Sequence, residues 1–140
     1  MKKKNVDKPY IESRIDDWLK RIDSLYREVE RSLSDSNNVT CDTSRKTTMN
    51  EEQMQKFNVS SVDVPILDLR RDNELLATFK PVGLWVLGAN GRVDILSEKG
   101  AYILVDGSDF GDKADWKIYT PNNRKTAEKL SRSFIEQLVK

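Results

Sequence analysis

Residues 84–106, LWVLGANGRVDILSEKGAYILVD, decide the fold expected for this chain. Asn90-Gly91 and Lys99-Gly100 are turn dipeptides between short runs of strand-forming residues. Asn-Gly is favoured in tight hairpins because a type I′ turn needs a positive φ at both central residues. The stretch therefore predicts three antiparallel strands, over Leu84–Leu87, Arg92–Ser97 and Ala101–Asp106. A phosphate-binding reading of Gly88–Gly91 fails, because such a loop opens a helix.

Two of these runs, Leu84–Leu87 and Tyr102–Val105, are apolar at every position rather than alternating. A strand of that kind is usually covered on both faces of its sheet. Two arrangements satisfy this requirement. Either the terminal helices lie on opposite faces of the sheet, or another molecule covers one face.

The strand-like pattern extends over residues 62–120. Val62–Leu69 contains Pro65, which favours an edge or bulged strand because proline cannot donate to a ladder. Asp72-Asn73 predicts a turn into Glu74–Lys80, and Trp116–Thr120 reads as the last strand.

Amphipathic helices are expected on either side of the sheet. Over residues 10–33 the apolar positions alternate in steps of three and four: Ile11, Ile15, Trp18, Ile22, Leu25 and Val29. Asp7 and Pro9 suit a helix start. Residues 34–50 are almost entirely polar and predict a linker. Ala127, Leu130, Phe134 and Leu138 predict a second, shorter helix over residues 123–139.

The expected fold is α+β: an antiparallel β-meander of five to six strands, flanked by a long N-terminal helix and a shorter C-terminal helix. The length of 140 residues suits a single domain spanning 1–140.

Composition excludes several classes of function. The chain has no histidine and one cysteine, Cys41, which removes histidine-dependent triads and cysteine-rich metal sites. No apolar stretch follows the basic residues Met1–Lys4, and none is long enough to span a membrane, so we expect a cytoplasmic protein without a membrane partner. We expect no cofactor.

Residues 106–115 hold the main cluster of carboxylates. Counted as a calcium loop from Asp106, the segment places Phe110 at a ligand position and Lys117 at the position of the bidentate acid. The loop is therefore expected to be a solvated acidic turn. A metal-dependent hydrolase using Asp68, Asp94 and Asp106 remains an alternative if these side chains converge.

The leading hypothesis is a non-catalytic protein-binding partner, such as an accessory subunit or an inhibitor or immunity-type protein, that binds another protein or itself. Nucleic-acid binding through the basic C-terminal helix is the alternative, although the net charge of +1 gives it no global support. The candidate contact residues are Asp109, Asp112, Trp116, Arg124, Lys125, Lys129 and Arg132.

Overall fold

The computed structural model describes residues 6–36, 38–85 and 90–140, with Arg124 described by its backbone alone. Its elements follow in the order α1 (Lys8–Ser32), β1 (Val39–Asp42), β2 (Lys46–Met49), α2 (Glu52–Lys56), β3 (Val62–Pro65), β4 (Leu67–Arg71), β5 (Glu74–Gly83), β6 (Arg92–Ser97), β7 (Gly100–Asp106), β8 (Trp116–Thr120), β9 (Asn123–Lys129) and α3 (Arg132–Leu138).

Helix α1 forms where the apolar spacing predicts it. The Asp7 carboxylate accepts a hydrogen bond from the Tyr10 backbone amide (3.0 Å), satisfying one of the free amides of the first turn. The predicted apolar stripe is buried along its whole length, and Trp18 and Ile22 are 0 % exposed. The helix ends at Ser32.

The α+β class is confirmed. Strands β1-β4-β5-β6-β7-β8-β9 form one seven-stranded sheet, and β2 pairs with β3 in a separate two-stranded sheet. Every pairing is antiparallel, and from β4 to β9 each strand lies beside its neighbour in sequence. The larger sheet extends beyond the predicted range 62–120 at both edges, through β1 and β9.

The polar segment 34–50 is not a plain linker, and that prediction is wrong. It supplies β1, which pairs with β4, and β2, which pairs with β3. Each is four residues long with a single buried residue at most, Met49. Strands this short have no detectable apolar alternation, and their partners lie far along the chain.

The helix predicted over 123–139 is wrong in its first half. Thr120 and Asn123 face each other across a tight turn at Pro121-Asn122, and the chain returns beside β8 as strand β9. Only Arg132–Leu138 is helical, with Ser131 as its capping residue. The helical spacing of Ala127 and Leu130 with Phe134 and Leu138 therefore joins two different elements.

The Asn90-Gly91 dipeptide does not form a two-residue hairpin turn, because the paired residues on either side of it are Gly83 and Arg92. Strand β5 runs to Gly83, and Leu84 and Trp85 follow in a bend, so they are not part of the strand predicted over Leu84–Leu87. Val86 and Leu87, like Gly88 and Ala89, lie outside the described residues. The Asn90 amide donates to the Asp106 carbonyl (2.8 Å), so this dipeptide aligns with the end of β7.

Helices α1 and α3 pack on the same face of the seven-stranded sheet, which we call the inner face. The residues that this inner face contributes to the core include Leu69, Phe79, Ile95, Leu104 and Ile118, and α1 and α3 contribute Trp18, Ile22, Ile135 and Leu138 to the same cluster. Phe134 of α3 meets Tyr102 of β7 edge-on, at 5.0 Å between ring centroids. The terminal helices therefore do not lie on opposite faces of the sheet, which was the first of the two arrangements considered from the sequence.

Within the described ranges, no helix has the length and apolar character needed to cross a bilayer.

Replacing Gly91 tests the fit of α1 on the sheet. Gly91 has φ +115, and a Cβ there would overlap the Trp18 indole. Because positive φ and overpacking each cost about 1–3 kcal/mol, Gly91→Ala should lower the free energy of unfolding by roughly 2–6 kcal/mol in urea titration.

Gly111→Ala is the matched control, since Gly111 also has a positive φ (+89) but nothing within 4 Å of its added Cβ. It should show only the backbone cost, about 1–3 kcal/mol. Equal losses in the two variants would contradict close packing of Trp18 against Gly91.

Candidate functional site

The second face of the seven-stranded sheet, here called the open face, carries no helix among the residues that the structure describes. We define it by the outward positions of β5–β8, which alternate with buried inner-face residues. Leu75 is 42 % exposed and Leu96 is 49 % exposed. Ile103, Val105 and Tyr119 are partly exposed on neighbouring strands. The open face thus groups exposed apolar side chains that are usually scattered singly over a protein surface.

A shallow depression of about 510 Å³ marks one part of the open face. Leu75, Leu76 and Leu96 contribute its apolar lining, and Thr78 and Lys80 lie beside them. Arg45 and Glu98 stand at its margin. The depression is open and mixed in character, which suits the docking of a surface better than the enclosure of a small molecule.

Charges on the open face are predominantly positive. Lys80 and Lys117 are exposed between buried neighbours in their strands, so both project outward. Lys129 of β9 stands opposite Lys117 in the ladder. Asp94 is the carboxylate at the described outward positions of β5–β8, and it is already held by Arg92 (2.8 Å).

A buried carboxylate lies at the β4 side of this face. Asp68 is 0 % exposed and accepts from the Arg45 guanidinium at both oxygens (2.7 Å each) and from the Thr78 hydroxyl (2.8 Å). The hydrogen bonds from Arg45 hold the pKa of Asp68 below its ordinary value, against the opposing effect of burial. The Asp68 carboxylate therefore binds Arg45 and so holds the segment directly before β2 against the sheet.

A second surface feature is a groove of about 980 Å³ between α1 and the chain around residues 112–116. It brings together four of the seven candidate residues from the sequence: Asp112, Trp116, Lys129 and Arg132. Its lining holds six basic and four acidic side chains: Lys20, Arg21, Arg31, Lys113, Lys129 and Arg132 against Asp17, Glu28, Asp112 and Asp115. Ion pairs already occupy two of the basic groups, since Arg21 is bound to Asp17 and Asp106 and Arg132 is bound to Asp35 and Glu136.

The remaining candidates lie elsewhere or have other roles. Asp109 and Lys125 are exposed and stand outside the groove lining. The Arg124 side chain is outside the described part of the structure. Trp116 is 6 % exposed and its ring packs 6.1 Å from that of Trp18, so it belongs mainly to the core. Arg132 is bound to Asp35 (3.1 Å) and Glu136 (3.0 Å).

The basic stripe expected along one C-terminal helix does not form. Lys125 and Lys129 belong to strand β9, whereas Arg132 is the first residue of α3. The geometric basis of the nucleic-acid alternative is therefore lost, since the stripe depended on helical spacing.

Arg21 is the centre of a buried polar cluster that sequence reasoning missed. Its guanidinium donates to Asp17 (2.6 Å) on its own helix and to Asp106 (2.6 Å) at the end of β7. It also donates to the Ser108 hydroxyl (2.6 Å) and to the carbonyls of Asp109 and Asp112. These bonds use the full donor set of an arginine. Its i,i+4 spacing from Asp17 was the available signal, but the contact with the loop is long-range.

Asp106 completes this cluster from the opposite side. It is 0 % exposed, and its second oxygen accepts from the Ser108 amide (3.0 Å) and hydroxyl (2.7 Å) and from the Asp115 amide (2.9 Å). Burial acts to lower the pKa of Arg21, but its bonds to Asp17 and Asp106 raise that pKa above the ordinary value. The side chains of Asp109 and Asp112 in the β7–β8 hairpin loop are exposed, as predicted, while the carbonyls of the same residues bind the buried Arg21.

The carboxylates of the hydrolase alternative are not brought together. Asp68 and Asp94 lie on the outward side of the sheet, whereas Asp106 points inward to Arg21. Each of the three is bound to an arginine. Within the described ranges there is no group of three or more cysteine, aspartate or glutamate side chains placed to hold a metal ion.

Comparison with known proteins gives no family assignment: no family model matches the chain, and no curated protein or solved structure shows significant similarity to it.

Removing the Arg21 guanidinium should destabilise the protein strongly. Breaking one half of a buried ion pair costs about 3–5 kcal/mol, so Arg21→Met should lose that amount in urea unfolding followed by tryptophan fluorescence. Arg21→Lys should recover only part of the loss, because an ammonium cannot reach the carboxylates and carbonyls together. Arg27→Met is the control, since the Arg27–Asp23 pair is exposed and worth at most about 1 kcal/mol. Equal losses at Arg21 and Arg27 would refute the cluster's structural role.

The Asp68–Arg45 pair should make part of the stability dependent on acid. Because the pKa of Asp68 is lower in the folded protein than its ordinary value of 3.8, this carboxylate stabilises the fold at neutral pH. That contribution is lost as the pH falls below 3.8 and through the folded pKa. Asp68→Asn should therefore be less stable than the wild type at pH 7 and approach it at pH 3, measured by urea titration.

Arg45→Met should show the same convergence with the wild type, since it removes the other half of the pair. If the difference in unfolding free energy between the wild type and either variant is the same at pH 7 and pH 3, the stabilising effect of Asp68 does not depend on its charge.

Proposed function

We propose that this protein is a non-catalytic binding partner that docks a second, different protein on its open face. The observation that carries the proposal is the placement of α1 and α3 on one side of the sheet, with Leu75 and Leu96 exposed on the other. Exposed apolar groups of this kind, gathered on a regular surface, are characteristic of interaction sites.

The dimensions of the open face support a macromolecular partner. With strands about 4.8 Å apart and a rise of about 3.4 Å per residue, the region from β5 to β8 measures roughly 15 by 20 Å, or roughly 300 Å². Lys80, Arg92, Asp94 and Lys117 share this region with the apolar side chains, so only part of it is apolar. The flanking strands and turns can extend the contact toward the roughly 800 Å² that one partner gives to a standard interface.

The polar clusters support a binding role over a catalytic one. Catalysis by carboxylates requires groups that share a site and can exchange protons. Here Asp68, Asp94 and Asp106 are each committed to an arginine and lie on different sides of the sheet. Their arrangement serves the fold.

Site-specific photo-crosslinking tests the proposal. A benzophenone side chain is placed at Leu96 on the open face or at Glu12 on the exposed side of α1, in cells that express the full chain. Irradiation should give a discrete adduct with one protein from position 96 and little from position 12.

The captured protein is then purified and its affinity for the chain measured. Since loss of a central apolar contact costs at least about 1–2 kcal/mol, Leu96→Asp should weaken binding by about tenfold or more, whereas Glu12→Lys should not. Equal crosslinking from both positions, or equal affinity of Leu96→Asp and the wild type, would overturn the proposal.

A further inference from the structure

The charges of the open face define the chemistry of its partner. Resting on the proposed function, we infer that the partner presents an acidic surface surrounding an apolar centre. The inference follows from the juxtaposition of exposed aliphatic groups with basic side chains that outnumber the carboxylates at the described outward positions of β5–β8: Lys80, Arg92 and Lys117 against Asp94.

Two lysines, Lys80 and Lys117, contribute to this positive character. Lys80 makes no ion pair within 4.0 Å among the described residues, although it stands opposite Asp94 in the ladder, and Lys117 pairs with Asp115 at 4.0 Å. Asp94, the one carboxylate at the described outward positions of β5–β8, is bound to Arg92 at 2.8 Å, so the three basic groups Lys80, Arg92 and Lys117 exceed it by two charges. Desolvating these amines against a neutral surface would cost free energy, whereas carboxylates on the partner would offset that cost and speed the encounter.

The same charges argue against a second copy of the chain as the occupant. Two open faces in contact would bring together surfaces with the same excess of lysines, and like charges opposed across an interface are unfavourable. The carboxylates that a second copy would offer, Asp94 and the Glu98 that lines the depression, are fewer than the basic groups they would have to match. The complementary surface must therefore come from a different molecule.

The apolar groups favour a protein over a nucleic acid. Single strands bind sheets through aromatic side chains on which successive bases stack. The described outward positions of β5–β8 hold one aromatic residue, Tyr119, while the others that are apolar are aliphatic: Leu75, Val82, Leu96, Ala101, Ile103 and Val105. Aliphatic groups among lysines match the leucine, isoleucine and acidic residues of a protein surface.

Selection from a phage-displayed library of random peptides tests the inference on the intact chain. Peptides enriched on the wild type should combine apolar residues with Asp or Glu. They should be lost on Leu96→Asp, which removes the apolar centre. The double variant Lys80→Glu/Lys117→Glu should bind a synthetic copy of the best peptide about tenfold more weakly, which is about 1.4 kcal/mol.

The outcomes separate the two proposals. Enriched peptides that depend on Leu96 but contain no excess of Asp and Glu would overturn the acidic partner and leave the docking face intact. Peptides that bind Leu96→Asp as well as the wild type would overturn both. Tighter binding of phosphatidylserine vesicles or of an oligothymidylate than of the best peptide would show that the lysines serve a lipid surface or a nucleic acid instead.

Discussion

The packing of α1 against the inner face of the sheet is the interaction on which the rest of the structure depends. Trp18 is completely buried and lies so close to Gly91 that no side chain fits there. One turn later, Arg21 fixes the end of β7 and the loop after it. Two turns after Trp18, Tyr26 donates to the Pro65 carbonyl (2.6 Å), and burial raises the pKa of its phenol, so it remains a donor. One helix thus positions three separate parts of the chain.

The same packing determines which surface is left for binding. Since α3 joins α1 on the inner face, the side chains at the outward positions of β5–β8 receive no helix within the described structure. Ile103 and Val105 are the residues that made the run Tyr102–Val105 apolar on both faces in the sequence. Neither helix covers this second face of the sheet. The lysines beside these residues indicate the charge of a partner surface that would cover it.

The parts of the fold that sequence predicts are those with a local cause. Helix α1 follows from side chains three and four residues apart and from a cap at Asp7, and the turn expected at Lys99-Gly100 joins β6 to β7 one residue earlier, at Glu98-Lys99. Strands β1 and β9 could not be found this way, because their hydrogen bonds depend on β4 and β8 rather than on their own composition. Pro121-Asn122 was a usable turn signal, but the helical spacing after it suggested the wrong element.

The candidate site was predicted less well than the fold. The sequence predicted that both faces of the sheet need a cover, which is the reason for looking at the second face. The residues chosen as contacts were instead mostly charged residues from the loop and the C-terminal segment. Leu75 and Leu96 carry no motif, and their exposure depends on where two helices dock. Arg21 could not be distinguished from the other basic residues of α1, because its partners Asp106 and Ser108 lie more than eighty residues away.

The central claim is that one face of the sheet is open in the free protein, and solvent paramagnetic relaxation of methyl groups measures this directly. With a soluble gadolinium chelate and the full chain at low concentration, the methyl groups of Leu96, Ile103 and Val105 should relax strongly. Those of Val93, Ile95 and Leu104, their neighbours on the same strands, should be protected. Equal protection of the two sets would show that the second face is already covered and would contradict the account.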